Sequence, residues 1–278
     1  MRVALATCTL WPDLDVDGPE LLAALAAEGL DVDVVAWDAE EVDWDAYDLV
    51  VIRTTWDYWD RHEEYLAWTR RVPRLANPAD VVAWNTDKRY LRDLDVPTVP
   101  TTWLEPGEPF TPPDHRFVVK PSVSAGARDT AAYDAGDPAA REHVDRLHAR
   151  GKTVMVQPYV DAVDAEGETA VLVFGGEVSH AARKSACLVP GAGEPELGGW
   201  TITAREPSAA EVELALRAVA GRDLLYARVD LLPGPVLIEL EVTEPSLFLT
   251  HAPGSAARFA AAVRRRAERS TGTATPRS

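Results

Sequence analysis

Four charged side chains in the last quarter of the chain have types and a spacing that suit metal and phosphate chemistry. They are Arg228, Asp230, Glu239 and Glu241. A Pro-Gly-Pro turn separates the apolar runs that carry them, which predicts a β-hairpin of residues 224–232 and 236–242. Because side chains alternate along a strand, the two glutamates share a face. Carboxylate oxygens are ligands that Mg²⁺ prefers, with substrate phosphates completing its coordination. The pattern therefore predicts a site for a magnesium nucleotide.

The length of the turn decides whether Arg228 and Asp230 lie on the same face of the hairpin as the two glutamates. An even-numbered loop places Asp230 opposite Leu237 and Arg228 opposite Glu239, which brings the guanidinium and the carboxylates together. An odd-numbered loop would place Asp230 on the opposite face. The alternative interpretation of the hairpin is a solvent-facing edge strand whose charges keep it soluble.

Lysine is scarce in the chain, which has Lys88, Lys120, Lys152 and Lys184. Lys88 falls in the first turn of a helix predicted from Thr86 to Leu94. Lys120 ends a buried strand directly before a loop of small residues, whose backbone N–H groups can approach an anion. Both positions suit an ammonium that acts as a point charge on phosphate. Lys152 is predicted in an exposed turn, and Lys184 fits either the surface or the site.

The elements that position these groups begin with a βαβ unit. Strands at residues 3–6, 32–35 and 49–52, with a helix from Pro19 to Glu28, predict a parallel sheet. The turn after the first strand lacks the G-x-G-x-x-G pattern, which argues against a Rossmann dinucleotide site. The loop from Arg53 to Trp59 follows the third strand, where open α/β sheets bind ligands. It is either a substrate loop or a surface loop that packs its own aromatic residues.

The second half of the chain predicts antiparallel structure. Gly175-Gly176 joins two short apolar runs, which is typical of a two-residue hairpin. A helix is predicted to begin after Ser208, with Glu211 completing a capping box.

Composition limits the partners of the chain. Among 278 residues, 28 Lys and Arg stand against 45 Asp and Glu, a net charge of −17. Such a surface repels phosphate backbones and anionic lipid. The two cysteines form neither a disulfide framework nor a zinc pattern, and no apolar run reaches the roughly 18 residues of a membrane span. We therefore expect a cytoplasmic protein that binds no nucleic acid and no membrane.

The motifs, taken in order, resemble those of the ATP-grasp ligases. They are Asn85-Thr86-Asp87-Lys88, Val118-Val119-Lys120-Pro121, the loop 122–127, Val156-Gln157-Pro158-Tyr159-Val160, Glu168, Arg183, Tyr226-Ala227-Arg228-Val229-Asp230 and Ile238-Glu239-Leu240-Glu241. The chain is similar to the branch of glutathione synthetase and D-Ala–D-Ala ligase. It also resembles the group that includes the D-cycloserine-forming cyclo-ligase and amino-acid ligases of natural-product pathways, which carry similar Arg-Thr-Thr-Trp-Asp-Tyr and Glu-Pro-Ser-Leu-Phe-Leu segments. The resemblance covers residues 50–250.

This resemblance implies an ATP-grasp fold that combines α/β and α+β parts. It implies a βαβ pre-ATP-grasp domain over residues 1–85 and a small lid domain over 86–158. A large C-terminal domain would follow over 159–267, and residues 268–278 would form a disordered tail.

The resemblance also implies a nucleotide site. Lys88 and Lys120 would hold the α- and β-phosphates, and Glu168 would bind the ribose hydroxyls. The loop that contains Ser124 and Gly126 would close over the triphosphate. Adenine would be read at a hinge made of Gln157, Tyr159 and Val160.

The same resemblance implies the metal, catalytic and substrate residues. One or two Mg²⁺ ions, with Mn²⁺ as an alternative ion, would bind Asp230, Glu239 and Glu241. Arg183 and Arg228 would stabilise the transferring phosphoryl group and an acyl phosphate. The substrate would contact a set drawn from the third-strand loop and a late segment: Arg53, Thr54, Thr55, Trp56, Asp57 and Ser246.

The implied function is an ATP-dependent carboxylate–amine ligase. It would form an amide bond through an acyl phosphate on small amino-acid substrates, in natural-product biosynthesis. The product would be a dipeptide, a γ-glutamyl-type product or a ring closed within one molecule, and the assembly a homodimer or homotetramer. Two other classes stay open, a phosphotransferase that stops at a phosphorylated product and a non-catalytic nucleotide-binding module.

Overall fold

The structure, a computed structural model, describes residues 1–188, 191, 193 and 200–272. Its strands are β1 (Arg2–Thr7), β2 (Asp31–Ala36), β3 (Leu49–Thr54), β4 (Thr102–Leu104), β5 (Phe117–Pro121), β6 (Ala131–Tyr133), β7 (Val154–Pro158), β8 (Glu168–Phe174), β9 (Glu177–Lys184), β10 (Ile202–Arg205), β11 (Tyr226–Leu232) and β12 (Val236–Glu241). Its α-helices are α1 (Gly18–Ala27), α2 (His62–Arg71), α3 (Ala79–Asn85), α4 (Ala139–Ala149), α5 (Val163–Glu166), α6 (Ala209–Val219) and α7 (Ser255–Gly272). The strands form three sheets, with the orders β2-β1-β3, β4-β7-β5-β6 and β10-β9-β8-β11-β12.

The first sheet is the parallel βαβ unit that the sequence predicts. β1 pairs in parallel with β2 on one side and with β3 on the other. The α1 residues Leu21 and Leu25 pack in a buried cluster with residues of α7. A second cluster contains an aromatic group in which the Trp37 ring contacts both Tyr65 and Trp68. These aromatic residues support the loop that follows β3.

The second sheet is antiparallel and carries Lys120 on β5 and Gln157 on β7. Its core is built with α4, which contributes Ala140, Val144 and Leu147.

In place of the helix predicted from Thr86 to Leu94, the chain forms a shorter 3₁₀ helix. Helix α3 ends at Asn85, and a 3₁₀ turn runs over Lys88–Asp93. The Asp87 side chain caps this turn by accepting from the Arg89 N–H, and this cap separates the turn from α3. Lys88 still opens a helical turn, as predicted.

The third sheet is antiparallel, and both the predicted β8–β9 hairpin and the predicted capping box of α6 are present. Gly175 and Gly176 join β8 to β9 with φ values of 58° and 89°, the backbone that a two-residue hairpin turn requires. At the start of α6, the Ser208 side chain accepts from the Glu211 N–H. The Glu211 carboxylate accepts from the Ser208 N–H in return, which completes the predicted capping box.

The hairpin of β11 and β12 forms, but in a register that differs from the prediction. Arg228 pairs with Glu241, and Asp230 pairs with Glu239 rather than with Leu237. The charged side chains still share one face, because residues directly opposite each other in an antiparallel pair point to the same side. The predicted face is confirmed, and the predicted pairing is wrong.

A β-bulge explains this outcome. Leu232 pairs with Val236, so the loop between them has an odd number of residues, which alone would have turned Asp230 to the other face. The register shifts between Asp230 and Leu231, and the extra residue on β12 restores the alternation.

Helix α7 joins the first and third parts of the fold. Its Phe259 packs against Phe174 of β8, with ring centroids 4.9 Å apart, in a cluster that also contains residues of β1 and β3. The helix runs to Gly272, so residues 268–272 of the predicted disordered tail are helical, and the remainder lies outside the described residues. Each sheet forms within one predicted domain, and the exact domain limits stay a prediction. Among the residues described, no helix combines the length and apolar character that a membrane span requires.

Candidate active site

A cavity of about 640 Å³ lies between the second and third sheets. The loops that follow β1 and β3 contribute Trp11 and Trp56 to its wall. Its polar lining includes seven of the predicted charged residues, which are Lys88, Lys120, Glu168, Arg228, Asp230, Glu239 and Glu241. It also includes Lys184, whose place the sequence left open. Residues from distant parts of the chain therefore converge on one space.

Arg228 lies at the centre of an ion-pair cluster on the third sheet. Its guanidinium binds Asp230 through two hydrogen bonds, of 2.9 Å from Nε to Oδ1 and 3.0 Å from Nη2 to Oδ2. It also donates to the carboxylate of Glu241. The Lys184 ammonium lies 2.8 Å from Asp230 and 2.8 Å from Glu168. Both cations thus contact Asp230 inside the cavity.

Lys88 brings a third cation to the cluster from outside the third sheet. Its ammonium lies 3.1 Å from the Glu239 carboxylate and donates to the Ser124 carbonyl at 2.9 Å. Lys120 is also buried on the cavity wall. The two predicted phosphate-binding lysines therefore approach the acids of β12.

Asn85 fixes the outer edge of β12, where two of the acids lie. Its side-chain amide donates to the Leu240 carbonyl at 2.6 Å and accepts from the Val242 N–H at 2.9 Å. Tyr90 adds hydrogen bonds to both backbone groups of Leu240. These buried bonds cover the edge and hold Glu241 between two anchored residues, so β12 is not the solvent-facing edge strand of the alternative interpretation.

The cluster gives its acids different pKa values. Burial would raise the pKa of Asp230, but Arg228 and Lys184 outweigh it and lower the value to about 2. Burial, with smaller contributions from Glu239 and Asp230, raises the pKa of Glu241 to about 7 against the opposing effect of Arg228. The cluster therefore favours the anionic form of Asp230 and the protonated form of Glu241.

Lys120, on β5, differs from an exposed lysine in its pKa. Burial lowers the pKa of Lys120 to about 8, although Glu239 acts in the opposite direction. An anion bound beside Lys120 would stabilise its charged form, which suits a phosphate ligand.

The opposite end of the cavity is apolar and lies beside the predicted hinge. Gln157, Tyr159 and Val160 all line it, together with Ile238, the residue that the bulge adds to β12. The Gln157 amide nitrogen donates to Thr101 at 2.8 Å, and its oxygen is buried without a partner in the described residues. This arrangement offers apolar walls and one free acceptor to a flat heterocycle.

The predicted phosphate loop covers the cavity between these two ends. Ser124 and Gly126 line the cavity, as does Ala127. Gly126 and Ala127 have φ values of 65° and 59°, and such a left-handed backbone exposes N–H groups beside very small side chains.

Two of the predicted substrate residues, Trp56 and Ser246, line the cavity. The others are buried and bonded elsewhere, and they are Arg53, Thr54, Thr55 and Asp57. Arg53 donates to the Pro245 carbonyl at 2.7 Å, beneath the segment that carries Ser246. The structure does not bring these four side chains to the cavity, because they hold the surrounding loops in place.

The comparisons with known proteins agree with this geometry. Residues 3–77 match the family model described as the N-terminal domain of the D-cycloserine synthetase DcsG. The chain is 37% identical over 297 residues to the cycloserine biosynthesis protein DcsG of Streptomyces lavendulae, across 95% of this chain and 98% of that protein. The chain belongs to the DcsG family of ATP-grasp ligases.

Solved structures support the same assignment. The crystal structure of D-cycloserine synthetase DcsG superimposes with a TM-score of 0.86 at 35% identity, across 97% of this chain and 100% of that one. The D-alanine–D-alanine ligase of Bacillus anthracis complexed with ATP has a TM-score of 0.64 at 14% identity, across 97% and 98% of the two chains, and shows a shared fold. The predicted ATP-grasp fold and the predicted ATP-dependent, amide-forming ligase of natural-product biosynthesis are confirmed.

The structure of this DcsG family member places one predicted catalytic residue outside the cavity. Arg183 does not line the cavity, and its guanidinium donates to the backbone carbonyls of Ala165, at 2.8 Å, and Glu166. Lys184, the next residue on β9, points to the other face and reaches Asp230. The cation on this strand that meets the cluster is therefore Lys184, whose role the sequence left open.

Other residues of the DcsG-family site were not assigned roles from sequence. Asn85 was noted within a motif, but its function as an anchor of β12 depends on tertiary packing. Glu244 belongs to a segment proposed for substrate contact, and its carboxylate is buried on the cavity wall. No pattern of spacing distinguishes it from an exposed acid.

Proposed function

We propose that the cavity binds a magnesium nucleotide beside an amino-acid carboxylate and joins that carboxylate to an amine. The carboxylate oxygen takes the γ-phosphoryl group of ATP and becomes an acyl phosphate. The amine then attacks the acyl carbon, the C–O bond to phosphate breaks, and the amine loses a proton. ADP and phosphate are released with the amide.

The name of the relative from Streptomyces lavendulae supports a particular form of this reaction. That protein is a cycloserine biosynthesis protein and is 37% identical to this chain. We therefore propose that the amine belongs to the same molecule as the carboxylate, so that the product is a ring. A dipeptide from a mixture of two amino acids would instead indicate intermolecular ligation.

The residues of the cavity suit a division of roles along the nucleotide. The apolar end beside Gln157 and Val160 would bind adenine, and Glu168 the ribose. Lys88 and Lys120, with the loop around Gly126, would neutralise the α- and β-phosphates. These positions retain the roles that the family resemblance implies.

The cations at the other end suit the transferring group. Arg228 and Lys184 would hold negative charge that spreads over the phosphoryl oxygens, which is the main task of a phosphoryl-transfer site. Arg228 is fixed by two bonds to Asp230, so its geometry is set before substrate binds.

The acids of the hairpin fit magnesium that is shared with a nucleotide. No group of three histidine, cysteine or acidic side chains in the described residues is arranged to hold a metal ion alone. Mg²⁺ requires only one or two carboxylates when phosphates and water supply its other oxygens. Asp230, Glu239 and Glu241 all line the cavity and would provide these carboxylates to one or two ions. The bound ion would neutralise charge on the phosphates.

One observation carries the proposal. Three cations from separate elements, Lys88, Lys184 and Arg228, are each paired with an acid of one cavity. An ordinary surface cluster would not collect them in a space large enough for a nucleotide.

A product assay tests the proposal. Purified protein would be incubated with MgATP and amino-acid mixtures, and ADP, phosphate and new products measured by coupled assay and mass spectrometry. A ligase releases ADP and phosphate in equal amounts and gives a product that has lost one water. ADP without phosphate would indicate a phosphotransferase, and no ADP from any mixture would contradict the enzyme.

A further inference from the structure

Glu244 differs from every other acid on the cavity wall. Its side chain is only 8% exposed, and it lines the cavity beside Trp56 and Ser246. Glu168, Asp230, Glu239 and Glu241 each contact a lysine or arginine. The carboxylate of Glu244 has no hydrogen-bond or ion-pair partner in the part of the chain that the structure describes.

An unpaired buried carboxylate is expensive, because burial removes its hydration without replacing it. Burial, with Glu241 nearby, raises the pKa of Glu244 to about 8. Without a cationic partner, the carboxyl group therefore favours its neutral form at pH 7. A cationic ligand in the cavity would supply the missing partner.

The backbone around Glu244 is firmly held, so its side chain is a fixed feature of the wall. The indole Nε1 of Trp56 donates to the Glu244 carbonyl at 3.1 Å. The buried guanidinium of Arg53 donates to the carbonyl of the next residue, Pro245, at 2.7 Å. Arg53 of β3 and Trp56 of the loop that follows it therefore fix this segment and leave the carboxylate without a role in the anchoring.

We propose that the carboxylate of Glu244 binds the ammonium group of the amino-acid substrate. This inference rests on the proposed function and assigns the residue that recognises the amino group of the proposed amino-acid substrate. Arg228 lies on the same wall and donates to the Ser246 carbonyl at 3.3 Å, so a cation and an anion flank the segment 244–246. The substrate carboxylate would meet Arg228 while its ammonium meets Glu244.

The proposed contact between Glu244 and the substrate ammonium predicts much weaker binding of ligands that have no amino group. A ligand without an amino group would shield Glu244 from water and leave it unpaired. The free-energy penalty of a buried polar group without a partner exceeds the net contribution of the hydrogen bond it would have made. We expect an aminated ligand to bind at least about 50-fold more tightly than its desamino partner.

Matched pairs of ligands test this inference by calorimetric titration in the presence of Mg·AMPPNP. The pairs are D- and L-alanine against propanoate, D- and L-serine against 3-hydroxypropanoate, and D-cycloserine against isoxazolidin-3-one. In the wild-type protein, at least one aminated compound is expected to show the 50-fold preference. In Glu244→Gln, that preference should fall to within about threefold, with the affinity for Mg·AMPPNP unchanged.

Two further variants make the result decisive. Glu244→Asp keeps the charge and should keep at least a tenfold preference, whereas Glu177→Gln, an exposed acid at the β8–β9 turn, should behave as wild type. The inference is overturned if no aminated compound is preferred by the wild type, or if Glu244→Gln keeps the preference. Equal loss in Glu244→Gln and Glu244→Asp would also overturn it, because shape rather than charge would then decide. The assay measures binding without turnover, so it stands apart from the release of ADP that tests the ligase.

Discussion

The ammonium group of Lys184 lies 2.8 Å from a carboxylate oxygen of Asp230, deep in the cavity. Asp230 is also bound by Arg228, so two cations share one acid. Burial would lower the pKa of Lys184, but Asp230 and Glu168 outweigh it and raise the value. Lys184 is therefore charged at any pH at which the protein works.

Replacing Lys184 should remove a large part of catalysis. Lys184→Met removes a cation that the proposed function places beside the phosphoryl group, and we expect ADP release to fall by at least about 100-fold. The rate is measured with MgATP and the substrate found by the product screen.

The neighbouring Arg183 provides a matched control for that change. Its guanidinium is bonded to two backbone carbonyls away from the cavity. Arg183→Met should keep ADP release within about threefold of wild type. Equal losses in the two variants would contradict the placement of Lys184 rather than Arg183 at the site.

Glu239 should be essential for magnesium-dependent turnover but not for folding. Glu239→Gln keeps the shape and removes a charge that Lys88 contacts at 3.1 Å. We expect ADP release to fall by at least about 100-fold and the melting temperature to change little. Glu177→Gln, an exposed acid of the same sheet, serves as the control. Turnover unchanged in Glu239→Gln across a magnesium titration would exclude Glu239 as a metal ligand.

The shared face of the hairpin charges was predictable, whereas their pairing was not. Alternation along a strand depends only on local backbone geometry, so the positions of Glu239 and Glu241 follow from the sequence. The bulge beside Asp230 lies where β12 meets another part of the chain, since Leu237 donates to the Pro97 carbonyl and accepts from the Val99 N–H. Such long-range contacts leave no signal in the sequence of the hairpin itself.

The roles of Arg183 and Arg53 could not be predicted from local sequence either. Spacing alone does not tell which face of β9 meets the cavity, and so Arg183 and Lys184 could not be distinguished. Arg53 was predicted to begin a ligand-binding loop, yet it lies on β3 and is 2% exposed because Tyr226 and Phe259 pack around its guanidinium. That burial depends on α7, which lies far away in the chain.

Arg53 should therefore stabilise the fold. Arg53→Met leaves the buried Pro245 carbonyl without its donor and removes the cation from the rings of Tyr226 and Phe259. We expect the free energy of unfolding to fall by about 2–4 kcal/mol in chemical denaturation. Mg·AMPPNP affinity should stay within about threefold, since Arg53 does not line the cavity. Arg70→Met, at an exposed position of α2, is the control, and equal stability of the two variants would refute a structural role for Arg53.

His143 should make the stability of the protein sensitive to mild acid. The ring is buried on α4, and its Nδ1 lies 2.9 Å from the Tyr133 hydroxyl. Burial, with a smaller contribution from Arg146, lowers the pKa of His143 to about 4. The unfolded chain binds a proton near pH 6.5 and the folded chain only near pH 4. Stability is therefore fully present above pH 6.5 and is lost as the pH falls from 6.5 towards 4, by about 2 kcal/mol at pH 5.

The variant His143→Phe isolates this contribution from the other titrating groups. A phenyl ring fills similar space and takes up no proton, so the loss of unfolding free energy between pH 7.5 and pH 5 should be about 2 kcal/mol smaller than in wild type. His115→Gln, at an exposed histidine, should leave the wild-type pH dependence unchanged. Denaturant titrations at the two pH values measure the difference. A pH dependence in His143→Phe that matches wild type would show that His143 does not resist protonation in the folded state.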